Sequence, residues 1–357
     1  MSISLSQALG PYTSKLVEVY RERTKPTNFL RSFFPGKIQA TKLISIQVQR
    51  AYERIAVDCY RGTEGNRNQW TQSSEKLFEP LYYRENFDLT QLQVYDALFQ
   101  PRTVENAPML AQLLNSIVDN QMEQQDKIER SIELMCAQVL ETGIIQMSSQ
   151  GTGIMIDYKR KAGSIIDPGS GHYFANNEDP FDLLEEGCKF IRQYGKSAAM
   201  TFKAIFGETA IADFLKNTKF LDRQNKFNFS IDTVTAPAAA AETVGAIFHG
   251  TVTAGPYRVE LWSYPQYYDV VADDGSFTST PYLNPKLVTI IPNGAQFFTF
   301  FGAVPQVVTP GAAPVIGDFV ASDWISQEKR AHLYEVESCP LPVPVKIDQI
   351  VTIKVVA

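Results

Sequence analysis

Between about Met109 and Leu140, Leu110, Leu113, Leu114, Ile117, Ile128, Ile132, Met135 and Val139 recur in steps of three and four, which draws one apolar stripe along an α-helix. Pro108 stands where a first helical turn tolerates proline, and Gly143 can take the left-handed conformation that ends helices. At 1.5 Å per residue, about thirty-two residues span roughly 48 Å, whereas an ordinary globular helix has about 11 to 12 residues. No later segment repeats this length, which argues against a helical bundle. The pattern leaves two readings open, a surface helix packed on a sheet over part of its length or a rod spanning an extended subunit. The stripe turns polar at Gln121, Glu123, Gln124 and Gln125, a stretch expected to face solvent or a neighbouring chain rather than its own core.

The 357 residues, 44% hydrophobic and 20% charged, are enough for a sizeable core in two globular parts. Thirty-three basic and thirty-nine acidic residues give a net charge of −6, which disfavours binding to a phosphate backbone by counterion release. Cys59, Cys136, Cys188 and Cys339 are scattered without a Cys-x-x-Cys pair, so buried free thiols in a reducing compartment are expected. The charged first thirty residues lack a signal-peptide core, and no stretch reaches about 18 uninterrupted apolar residues. A soluble protein made in the cytosol is expected, with no membrane partner.

The segments before the long helix read as an arm and a hairpin. Leu5, Leu9, Leu16, Val17 and Tyr20 suggest a small amphipathic helix, broken by Gly10-Pro11. Phe29-Leu30-Arg31-Ser32-Phe33-Phe34 then forms a dense apolar cluster, ended by the turn dipeptide Pro35-Gly36, and such a cluster wants a partner surface. From Thr41 to about Gln100, alternating apolar residues on both sides of a polar crest, Arg61 to Trp70, predict two long strand arms joined at a polar tip. A hairpin of that length has too few residues around it to bury both faces, and its natural partner is another subunit.

After the helix, Ile144 to Met147 and Ile154 to Tyr158 predict a second hairpin, with Lys159, Arg160 and Lys161 as a solvated charged end. Asp179-Pro180 marks a helix start, with a capping carboxylate and a first-turn proline, and that helix ends near Gly195. A strand over Ser197 to Phe206, a short helix over Thr209 to Asn217 and strands over Val244 to Tyr264 follow, while Ala236 to Ala241 is a flexible connection or a short helix. Val270 to Phe277 reads as a hairpin turn, Leu287 to Ile291 and Gln296 to Phe301 as strands, and Lys346 to Val356 as a closing strand of the core sheet. The whole reads as an α+β protein with one discontinuous domain.

Motifs that would carry chemistry fail on context. Gly195-Lys196-Ser197 resembles the end of a phosphate-binding loop, but Phe190 stands where the motif needs its first glycine, and a helix precedes it instead of a strand. His172, His249 and His332 have no second histidine or cysteine at metal-ligand spacing. Glu185-Glu186 suits the first half of a helix and Asp273-Asp274 suits a turn, while Ser170 lacks the strand-to-helix elbow of a nucleophile. No enzymatic activity, cofactor or metal is expected.

The order of these parts, with the Phe29 to Phe34 cluster after an N-terminal arm, Asp179-Pro180-Phe181-Asp182-Leu183-Leu184, the loop leading there from Asp157, and the ending from Phe319 to Ala357, resembles the lambda-type major capsid proteins of tailed bacteriophages, the phage major capsid protein E family. The resemblance covers nearly the whole length. It implies the Hong Kong phage capsid fold: an arm over 1–38, an extended loop over 39–100, a peripheral domain with a spine helix over 101–180, an axial domain over 181–332, and a return to the peripheral domain over 333–357.

The function so implied is a shell subunit forming hexamers and pentamers, closed as an icosahedral head around double-stranded DNA. An acidic wall repels packaged DNA and leaves it free to spool. The expected partners are other copies of the chain, with scaffold, portal and decoration proteins, and the place is the virion, assembled in the host cytoplasm. Phe29, Phe33 and Phe34, with Arg61, Arg67 and Trp70 at the hairpin tip, are the candidate subunit-interface residues. Two other readings are an encapsulin-type compartment holding an enzyme cargo, and a tail module binding glycans on Trp262, Tyr264, Tyr267 and Tyr268.

Overall fold

The apolar stripe folds as helix α1, Ala107–Glu141, 35 residues long, in a computed structural model of the protein. The structure describes residues 25–39, 44–48, 74–90, 107–147, 154–169, 171–176, 178–227, 245–271, 275–304, 315–326 and 331–356. Ile117, Ile128, Ile132, Met135 and Val139 of the stripe are all buried. The polar stretch does not stay wholly outside the core as expected. Glu123 is exposed and Gln121 and Gln125 are half-buried, but Gln124 is only 5% exposed. Gln124 lies four residues before Ile128, so helical geometry sets it on the buried stripe whatever its polarity.

The C-terminus of α1 closes as its glycine requires. Gly143 has φ +73°, and its N–H donates to the carbonyls of Gln138 and Val139. A Cβ there would stand 2.3 Å from Cδ of Arg160, so the position needs glycine for space as well as for conformation.

Arg160 itself corrects the expectation of a solvated charged end. Its guanidinium donates to the α1 carbonyls of Leu140 (3.3 Å) and Glu141 (2.8 Å), to the Ile350 carbonyl (3.0 Å) and to Thr352 Oγ1 (3.2 Å). Burial lowers its pKa to about 10, still high enough to keep the charge that a helix C-terminus favours.

The strands run β1 (Gly36–Ile38), β2 (Ile44–Val48), β3 (Ser74–Phe78) and β4 (Tyr83–Thr90) before α1, then β5 (Ile144–Met147), β6 (Ile154–Asp157) and β7 (Ile165–Ile166). Helix α2 (Pro180–Gln193) starts at Asp179, whose Oδ1 accepts from the Phe181 N–H at 3.0 Å, and β8 (Thr201–Phe206), α3 (Glu208–Lys216) and α4 (Thr218–Phe227) follow. The rest is strand: β9 (Ile247–Ala254), β10 (Tyr257–Ser263), β11 (Tyr267–Val271), β12 (Phe277–Pro281), β13 (Leu287–Pro292), β14 (Phe297–Phe301), β15 (Val320–Ser326), β16 (Ala331–Ser338), β17 (Pro340–Pro344) and β18 (Val351–Lys354).

A six-stranded mixed sheet in the order β7-β18-β13-β8-β10-β9 carries one core. Helix α2 lies on it so closely that a Cβ on Gly187 would stand 2.8 Å from Ile290 Cδ1. A second core gathers α1, the Phe29 to Phe34 segment, β14 and β17. Two three-stranded sheets, β1-β14-β17 and β15-β16-β4, and three two-stranded ribbons, β2-β3, β5-β6 and β11-β12, complete the described strands.

Two strand expectations are corrected. The returning arm of the long hairpin is not one strand: β3 pairs with β2 from Phe78↔Ile44 to Ser74↔Val48, and after Glu79 to Tyr82 the chain re-enters as β4 against β16. Pro80, which has no N–H to give a ladder, stands in that break. The closing strand is shorter than its alternation suggested. Ile347–Gln349 form a turn of 3-10 helix, and only β18 enters the six-stranded sheet, between β13 and β7.

Candidate subunit interface

The sequence Phe-Leu-Arg-Ser-Phe-Phe cannot dissolve its rings in water, and the structure supplies a surface for them within the same chain. Arg31–Phe33 form one turn of 3-10 helix, which turns Phe29 and Phe34 to the second core. Phe29 packs against Phe33 (centroids 5.2 Å, 79°), Tyr264 (5.4 Å) and Trp262 (5.6 Å). Phe34 stacks on Phe297 at 5.1 Å. Phe33 is half-buried, with the Lys203 ammonium 5.3 Å from its ring centroid. Arg61, Arg67 and Trp70 lie outside the described residues.

The segment is also tied to α1 by charge. Both oxygens of the fully buried Glu133 accept backbone N–H groups, Leu30 at 2.7 Å and Arg31 at 2.9 Å. These are donors that a short helical turn leaves unpaired, so a carboxylate from a distant helix caps them. Burial pushes the Glu133 carboxyl up to about 7, against the downward pull of those two N–H groups. Beside it, Glu129 accepts from Asn28 Nδ2 at 3.3 Å and pairs with Arg31 at 3.6 Å. Thr27 and Tyr264 share a hydroxyl hydrogen bond. The arrangement does mechanical work: it pins the residues entering from the N-terminal side to the long helix.

A second tie joins β4 to β16. Arg84 donates through Nε and Nη2 to the two oxygens of buried Glu335, at 2.8 and 2.6 Å, and Tyr82 donates to Glu337. Glu133 and Arg84 carry no motif in the sequence, and Arg160 reads there as part of a solvated end. A usable signal existed only for Glu133, an acidic residue one position after Ile132 inside the buried stripe.

The remaining candidates are dispersed. Tyr264 is 2% exposed, Trp262 packs on Phe248 and Phe29, and Tyr268 packs on Tyr282, which leaves Tyr267 alone exposed and the four aromatics without a shared sugar platform. His249 meets Ser263 at 2.7 Å and His332 meets Asp323 at 2.8 Å, each within its own strand neighbourhood. Gly195 follows α2 and its carbonyl accepts from buried Gln349 at 3.0 Å, in a helix-ending turn rather than a phosphate loop. Cys136, Cys188 and Cys339 are buried and free. Among the described residues, no group of His, Cys, Asp and Glu could hold a metal ion, and no helix is long and apolar enough to cross a membrane.

Comparison with known proteins bears on the whole chain. A putative capsid protein of a prophage of E. coli CFT073 superposes with a TM-score of 0.62 over 100% of both chains at 17% identity, which shows a shared fold. A phage-related protein from Bordetella bronchiseptica RB50 matches with a TM-score of 0.48 at 13% identity, covering 97% of this chain and 96% of its own. An encapsulin from Synechococcus elongatus PCC 7942 matches with a TM-score of 0.43 at 9% identity, covering 96% of this chain and 95% of its own. No curated protein sequence matches significantly. The family model described as phage major capsid protein E matches residues 13–355, nearly end to end. The chain belongs to the phage major capsid protein E family.

Proposed function

We propose that this chain is the subunit of a bacteriophage head, assembling as hexamers and pentamers into an icosahedral shell that encloses double-stranded DNA. The observation that carries the reading is the family match over residues 13–355. Its role is structural and involves no catalysis. The division into an arm over 1–38, an extended loop over 39–100, a peripheral domain over 101–180 with α1 as spine, an axial domain over 181–332 and a return segment over 333–357 belongs to this proposal. Phe29, Phe33 and Phe34 then support the interface from beneath by fixing the arm on α1, and Arg61, Arg67 and Trp70 touch a neighbouring copy.

Two of the three ribbons support an assembled state. A two-stranded ribbon is marginal alone, and β2-β3 and β11-β12 are completed most simply by other copies of the chain. Scaffold, portal and decoration proteins are the further partners, and the assembled product is the virion shell, built in the host cytoplasm.

The test is expression with and without scaffold, followed by sedimentation and negative-stain microscopy. Closed particles are expected, and persistent monomer under every condition overturns the proposal. Particles that carry a host enzyme in place of DNA would replace it with a compartment shell. Deletion of Arg61 to Asn68 is expected to leave a folded subunit that assembles poorly, and normal shells from that variant would remove the tip from the interface.

A further inference from the structure

The ribbon β11-β12 stands off the six-stranded sheet as a separate two-stranded sheet. Its register pairs Tyr267 with Pro281, Asp269 with Ser279 and Val271 with Phe277, so Tyr267, Asp269 and Phe277 share one face. That face is open: Phe277 is 74% exposed and Tyr267 49%, and Asp269 is exposed between them. The sequence from Tyr267 to Pro281 holds three aspartates and no lysine or arginine.

A surface of opposite character lies where α3 passes into α4. Lys216 and Lys219 are exposed there beside Leu221, itself 41% exposed, and from Lys216 to Lys226 the sequence holds four cations against one aspartate. Within one chain the two surfaces stand apart along α3. Tyr267 donates its hydroxyl to Glu208 at the first residue of that helix, while Lys216 is its last. An acidic apolar ribbon at one end of a helix and a basic apolar patch at the other make a heterologous pair, the kind that closes rings of identical subunits.

We propose that the β11-β12 ribbon of one copy docks on the α3-α4 junction of a neighbouring copy, with Phe277 covering Leu221 and Asp269 facing Lys216 and Lys219. The proposal rests on the shell-forming function above and names the surfaces that meet within a ring.

Full-length chain is expressed with scaffold, and the assembled fraction is measured by sedimentation against total concentration. Losing the burial of one phenylalanine ring, F277S is expected to raise the concentration needed for assembly about tenfold or more. The reversals D269K and K219E each raise it about two- to fivefold, and together they restore it towards the wild-type value. Each monomer is checked for an unchanged thermal midpoint, so that an assembly defect is not an unfolding defect. Wild-type assembly by F277S, or a double reversal no better than its parts, overturns the docking while leaving the shell function standing. A wild-type chain that never assembles overturns both. In assembled particles a Phe277→Cys, Leu221→Cys pair is expected to crosslink between chains on mild oxidation, and a crosslink within one chain would also overturn the docking.

Discussion

Phe34 and Phe277 each stand beside turn residues, Pro35-Gly36 after the one and Gly275-Ser276 before the other, yet Phe34 is 1% exposed and Phe277 is 74% exposed. Around Phe34 the chain returns three times: α1 brings Glu133 to the Leu30 and Arg31 N–H groups, β10 and the residue after it bring Trp262 and Tyr264 to Phe29, and β14 brings Phe297. Around Phe277 no described residue beyond the ribbon itself returns, and among the described residues the ribbon is held near its base, by Tyr267 on Glu208 and Tyr268 on Tyr282. A phenylalanine is therefore core in one place and open surface in the other, and two things separate them: its neighbours in sequence are apolar around Phe34 and polar around Phe277, and the chain brings distant partners to the first segment.

The largest test of this contrast is truncation at the buried end. Phe34→Ala removes a ring stacked at 5.1 Å on Phe297 and leaves a cavity in a core that cannot fully collapse. It is expected to lower the unfolding free energy by about 3–5 kcal/mol, read from urea denaturation of the unassembled chain. A loss below about 1 kcal/mol would mean that the segment is only loosely laid on α1.

Glu133 gives the next test, through pH. In the unfolded chain its carboxyl titrates near 4.5, and in the folded chain near 7. Between those values the folded state holds the extra proton, so stability falls as pH rises through the window and levels off above it. The shift corresponds to about 3 kcal/mol. Glu141, also raised to about 7 by burial, acts in the same direction, so Glu133→Gln is expected to reduce the slope between about pH 5 and pH 8 without abolishing it. An unchanged slope would show that Glu133 keeps its ordinary titration.

Arg160 extends the contrast to charge. Arg160→Lys keeps the cation but not the planar fork that reaches Leu140, Glu141, Ile350 and Thr352 together. Loss of one or two charge-assisted bonds is expected to cost about 2 kcal/mol in the same denaturation assay.

What the sequence made legible follows the same division. Helix α1, the β5-β6 ribbon and the Asp179 cap are written in residues close together along the chain, through a stripe, an alternation and a capping carboxylate. The family likeness was legible in the order of such local pieces. The site was less so. Lys159-Arg160-Lys161 looks like any solvated charge run, because the carbonyl of Ile350 that accepts from Arg160 lies 190 residues further on. The alternation from Leu77 to Leu89 continues through Pro80, so it concealed that the two halves pair with different partners, β2 and β16. Gln124 shows the reverse case, a polar residue held at a buried position by the period of its helix.

The smallest effect is expected at the open end, and its smallness is the point. Phe277→Ser exchanges a 74% exposed ring for a hydroxyl that water solvates readily, and no described part of the core rests on it. The unassembled chain is expected to keep its stability within about 0.5 kcal/mol, beside the loss of several kcal/mol at Phe34. Thermal and urea unfolding of both variants in parallel check this, with the wild type as reference. Should Phe277→Ser destabilise the monomer by as much as Phe34→Ala, the ribbon would be packed against its own chain, and the distinction between a core cluster and a surface awaiting a neighbour would collapse.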